Sequence, residues 1–144
     1  MNPDPKNRQS AASLFWRVYD LDGHDERPTS ERPLVRLCAL ILLECLASGA
    51  QDLQLAIIDG TGIAKVCQQG SWKDMMTYPT QMHDGIVNRL KVMANLDVAK
   101  RPVQSGELRV RGHDRQVRIG IEVRKQPSGA EEASLHFPAV AGTV

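Results

Sequence analysis

The residues with the types and spacing for chemistry lie between Lys100 and Lys125. Eight cations stand there (Lys100, Arg101, Arg109, Arg111, Arg115, Arg118, Arg124 and Lys125) against Glu107, Asp114 and Glu122. The segment carries +5 on a chain of net charge +1, which leaves −4 for the remainder. A guanidinium binds carboxylate or phosphate through two parallel N–H donors. Arg101, Arg109, Arg111 and Arg118 are therefore candidate contacts for an anion or an acidic protein partner. The plainer reading is a solvated sheet face, because arginines alternate there with Leu108, Val110, Val117 and Ile119. Nucleic acid is not expected, since the segment lacks the interleaved aromatics on which bases stack.

Other constellations are weak. There is no GxxxxGK[ST] phosphate loop, no GxSxG and no HExxH. The sequence DLDG at residues 20–23 resembles the start of a calcium loop, and Glu31 lies eleven residues after Asp20. Arg27 stands where that loop needs an apolar residue and Pro28 follows, so calcium is not expected. Gly60-Thr61-Gly62 belongs to a tight turn with no helix after it. His24, His83, His113 and His136 are scattered without ligand spacing. Cys38 and Cys45, seven apart, share one helix face and read as core. No catalytic, cofactor or metal site is expected, and so no enzyme.

The length of 144 residues suits one domain with a real core. Hydrophobic content of 42% and charged content of 24% are ordinary for a soluble globular protein. Three cysteines, an odd number, point to reduced thiols in the cytoplasm. No signal peptide opens the chain. The longest apolar run, Leu37 to Leu46, holds Glu44 and is about half the roughly 20 residues that span a bilayer.

Several elements position these residues. Residues 1–30 read as a tail, a short helix carrying Leu14, Phe15, Val18 and Tyr19, and a polar linker from Asp20 to Ser30. A helix starts near Pro33 with Leu34, Leu37, Ile41, Leu42, Cys45 and Leu46 on its apolar face, and Gly49 is its left-handed stop. The period then changes to two. Leu53, Leu55 and Ile57 share a strand face, Asp59-Gly60 turns, and Gly62 to Cys67 returns. A third helix is expected over Tyr78 to Arg101, starting at Pro79, with Met82, Ile86, Leu90, Met93 and Leu96 inward and Asp84, Asn88 and Lys91 outward. Pro102 ends it. Strands follow at Glu107–Arg111, Arg115–Val123 and Ala133–Phe137. The order α-α-β-β-α-β-β-β predicts an α+β fold, with about five antiparallel strands and two or three helices packed on them. The domain would occupy residues 31–138, with a tail at 139–144.

These residues also resemble a family. From Pro33 to Val123 the chain is similar to the domain preceding the motor domain in type II secretion and type IV pilus assembly ATPases. Residues 33–50, PLVRLCALILLECLASGA, resemble the family's "PIVKLVNLILLEAIKKGA". Residues 52–56, DLQLA, are a weakened "SDIHIEP". Residues 88–99, NRLKVMANLDVA, nearly repeat the family's "SRLKVMANLDIA". The likeness covers roughly two thirds of the chain, and the helix and strand order agrees. In the family the next run, "ERRLPQDGR", carries arginines that approach ATP phosphates on the motor domain. Here that run is Lys100 to Glu107. It is one residue shorter, keeps Arg101 and Gln104, and has Ser105 and Glu107 where the family has an acidic residue and an arginine. Glu122 and His136 align near two further family arginines. A carboxylate beside phosphates costs about 1 kcal/mol in water and several when desolvated.

The resemblance implies the fold and a secretion or pilus setting without ATP hydrolysis. The expected role is a non-catalytic interaction or regulatory module with a protein partner, such as a secretion or pilus ATPase. The alternative is a nucleotide or cyclic-dinucleotide sensor supported only by the basic patch. Neither nucleic-acid binding nor membrane insertion is expected. The oligomeric state is open.

Overall fold

Two apolar helices need a surface to bury against, and an antiparallel sheet supplies it. The computed structural model describes residues 17–19, 25–26, 33–111 and 116–138. Helix α1 is Pro33–Ser48, with Val35, Cys38, Ala39, Ile41, Leu42, Leu43 and Cys45 buried. Gly49 (φ 73°) ends it. The Ala50 N–H donates to the Cys45 carbonyl at 2.9 Å, the long bond of a left-handed helix stop.

Strand β3 (Asp52–Ile58) turns through Asp59 and Gly60, both at positive φ, into β4 (Thr61–Gln68). A two-residue turn with both φ values positive matches the twist of the flanking strands. Gln69 and Gly70 repeat the device and lead into β5 (Ser71–Tyr78). A one-turn 3-10 segment, Thr80–Met82, leads into helix α2, His83–Met93. Three long strands follow: β6 (Val103–Arg111), β7 (Gln116–Lys125) and β8 (Glu131–His136). Two short strands, β1 (Arg17–Tyr19) and β2 (Asp25–Glu26), extend the edge beside β6.

Among the described residues eight strands form one sheet in the order β2-β1-β6-β7-β8-β3-β4-β5, and every pair is antiparallel. Alternation decides its two faces. Leu53, Leu55, Leu108, Val110, Val117, Ile119, Ile121, Val123, Ala133 and Leu135 are buried and join the α1 and α2 stripes in one core. On the outer face Arg118, Arg124, Ser134 and His136 are exposed, while Gln54, Arg109, Glu122 and Glu132 are half-buried. One covered face and one solvated face is the usual economy of an antiparallel sheet. The helices meet where Gly85 lets Leu34 approach, since a Cβ there would lie 2.6 Å from Leu34.

The α+β class and the helices-on-sheet arrangement are as expected, and the sheet is larger. Three differences are instructive. Val18 and Tyr19, expected on a helix, lie on β1 opposite Val110 and Arg109, where the open edge of β6 supplies ladder partners. Leu14 and Phe15 of that helix lie outside the described residues, as do most of the linker and the tail at 139–144. Strand β5 has no counterpart in the expected order of elements. Its exposed edge position and a bulge opposite Ala64/Lys65 erase the alternation. Helix α2 stops at Met93 rather than near Arg101. Asn95 takes φ 59°, and the Leu96 N–H returns to the Lys91 carbonyl at 2.7 Å. Leu96 still packs on the core, now from a loop.

Candidate functional site

The sheet divides the predicted arginines between two places. Arg109 on β6 lies directly opposite Arg118 on β7, and both belong to the outer face. Arg111, two positions on, pairs in register with Gln116 on one side and Arg17 on the other. Like charges directly opposite across a ladder oppose pairing. Glu107 offers partial relief, with its carboxylate 3.8 Å from the Arg118 guanidinium. Both side chains are more than half exposed, so this pair contributes little. Arg124, further along β7, is tied to Glu122 at 3.1 Å.

Arg101 lies apart from that group, in the loop between α2 and β6. Val103, where β6 begins, is six residues before Arg109, about 20 Å of strand at 3.3 Å per residue. The Arg101 guanidinium is turned into the loop, donating from Nε (3.1 Å) and Nη2 (2.6 Å) to Asp97 Oδ2. Asp97 organises the turn. Its Oδ1 accepts the Ala99 N–H at 2.9 Å, and its own N–H donates to Gln104 Oε1 at 2.9 Å. Gln104 Nε2 closes the ring on the Asp97 carbonyl at 2.8 Å. The Ala99 N–H, then Arg101, hold the Asp97 carboxyl below the usual carboxylate range. Arg101 and Gln104, which the family resemblance singles out, thus bond to their own loop.

Sequence reasoning missed a buried polar chain beneath this loop. Lys91 was assigned to the solvent side of its helix, yet it is fully buried. Its Nζ donates to both Glu131 carboxylate oxygens at 2.8 Å and to the Val98 and Ala99 carbonyls at 3.2 and 3.3 Å. Glu131, at the start of β8, is 2% exposed. Its backbone carbonyl lies 2.6 Å from His83 Nε2, and His83 Nδ1 lies 2.8 Å from Tyr78 Oη. A carbonyl only accepts, so Nε2 carries a proton and donates to it, while Nδ1 and the Tyr78 hydroxyl share the second bond. The detectable signal was spacing. His83, Val87 and Lys91 are four apart, and all three are fully buried on one row of α2.

Nothing in this arrangement assembles into an acid–base or nucleophilic pair. Burial, then Glu44, pushes the Cys45 thiol up to about 12, so it stays protonated and inert. Burial also pushes the Tyr78 hydroxyl up. His136 is exposed on the outer face, its Nδ1 2.9 Å from Asp52 Oδ1. Among the described residues no cluster of His, Cys, Asp or Glu could hold a metal. The apolar seam between α1, α2 and β3, lined by Cys38, Leu42, Leu55 and Ile86, has no space for a water molecule. No helix among the described residues is long and apolar enough to cross a membrane.

No family model matches the chain. Curated relatives do. The chain is 30% identical over 113 residues to a type II secretion system protein E of Dickeya dadantii, covering 78% of this chain and 21% of that protein. It is 28% identical over 101 residues to the type II secretion system protein HxcR of Pseudomonas aeruginosa, covering 69% and 21%. It is 24% identical over 99 residues to the type IV pilus assembly ATPase PilB of Myxococcus xanthus, covering 66% and 18%. The chain thus spans about a fifth of the length of the relatives it matches. These matches make the chain similar to the type II secretion and type IV pilus assembly ATPases, over a segment consistent with the N-terminal domain of those proteins.

Proposed function

We propose that this chain is a non-catalytic docking module of a type II secretion or type IV pilus assembly system, acting in the cytoplasm. Its outer sheet face meets an acidic protein surface through Arg109 and Arg118, with Arg111 two positions on along β6 a further candidate. The observation that carries the reading is Arg109 directly opposite Arg118 on the solvated face. That juxtaposition works against the fold and is relieved when carboxylates of a partner lie across it. The absence of a phosphate loop from the sequence supports a role without hydrolysis. So does Arg101, whose Nε and Nη2 are turned onto Asp97 within its own loop. A secretion or pilus ATPase is the first partner to try, because the matched relatives carry those names.

The competing occupant of the same arginines is a nucleotide or cyclic dinucleotide. Calorimetric titration separates the two. Mg-ATP and a cyclic dinucleotide should give only heats of dilution, while a purified type II secretion ATPase should bind and lose that binding to an R109E/R118E variant. Tight ATP binding would overturn the docking assignment.

A further inference from the structure

We propose that Lys91 is a positioning residue: its buried ammonium sets the conformation of the Asp97–Gln104 loop, and with it the surface that Val98, Lys100 and Arg101 present. This goes beyond the docking role and does not depend on which partner the arginine face takes. Lys91 sits in the last turn of α2, where a cation favours the helix carbonyl end. Its own carbonyl already receives the Leu96 N–H of the helix stop. Its side chain then reaches the next two loop carbonyls, Val98 and Ala99, while Glu131 anchors it from β8.

The loop is inverted relative to hydrophobic expectation. Carbonyls point inward to a buried charge, and Val98 lies 52% exposed. Lys100 and Arg101 are exposed beside it. A buried ion pair is a poor device for stability alone, since well-packed apolar residues of similar volume are often as good or better. Such pairs are best understood where they select one conformation. Here the selected conformation is that of a loop with no ladder partners between Leu96 and Pro102. Glu131 cannot be replaced by solvent in this role, because neither partner of the pair is accessible.

The test separates loop position from global stability. The double variant K91M/E131L removes both charges together and keeps volume. Its melting temperature should stay within a few degrees of wild type, and the Ile119 and Ile121 amides on β7 should keep their protection from hydrogen exchange. The Asp97 and Ala99 amides should exchange about tenfold faster or more. Unchanged protection of Asp97 and Ala99 would overturn the proposal, because the loop would then be held by Asp97, Arg101 and Gln104 alone. Should the double variant not fold, the wild-type protein decides by NMR. Slowly exchanging Lys91 ammonium protons with contacts to Val98 and Ala99 support the assignment, and exchange at the solvent rate contradicts it.

Discussion

Replacing Arg109 with threonine should make this protein more stable, an unusual outcome for a half-buried residue on a central strand. Arg109 and Arg118 occupy directly opposite ladder positions. Two unit charges about 6 Å apart repel by about 0.7 kcal/mol in water, and more at the lower effective dielectric near a protein surface. Threonine suits a strand and leaves Arg118 with Glu107. The expected gain is about 0.5–1 kcal/mol, or roughly 3 °C in melting temperature for a domain of this size. Because the term is electrostatic, it should fade in 1 M NaCl, where the screening length is about 3 Å. Urea unfolding of wild type and R109T at low and high salt measures both effects. A loss of more than about 1 kcal/mol, the same at both salt concentrations, would refute the reasoning. The stem of Arg109 would then be a packing element, and its charge irrelevant.

Further outcomes follow from named contacts. The Asp97 carboxyl, held down by the Ala99 N–H and then Arg101, should titrate by NMR below the usual aspartate value, and R101A should bring it partway back. The sign follows from the depressed folded value. Its contribution is present above the unfolded pKa of about 3.9 and is lost as pH falls through the folded one, so loop order should survive mild acid. Gly62→Ala should destabilise by about 1–3 kcal/mol in thermal unfolding, because the new Cβ would fall 2.2 Å from the Tyr78 ring that lies over Gly62.

Much of the fold was legible because burial and period agree. Along β7, Val117, Ile119, Ile121 and Val123 alternate with Arg118, Glu122 and Arg124, so one face had to be core. Gly49 stops α1 where its left-handed conformation is needed. Legibility failed where a local pattern was overruled from a distance. Gln69 adopts the positive φ of a hairpin turn that asparagine or aspartate would have announced, which hid β5. Asn95 ends α2 inside an apolar spacing that continues to Leu96, because the loop carries Leu96 back to the core above Gly106.

The site was legible only in part. Arg109 and Arg118 meet through the β6–β7 register, which their spacing did not announce, and Arg101 lies apart because its position depends on where α2 stops. Lys91, His83 and Glu131 were misread or unseen because each is polar and each is buried by a partner distant in sequence. Single-residue polarity carries no trace of such a partner.

Docking of an acidic protein surface on the arginine-bearing outer face has a direct readout. Calorimetric affinity of the wild-type chain for a purified type II secretion ATPase, compared with the R109E/R118E variant at 50 and 200 mM salt, tests it most directly. Wild-type binding should weaken with salt, and the variant should bind at least tenfold less tightly, about 1.4 kcal/mol. Equal affinity of the two proteins, unchanged by salt, would contradict it.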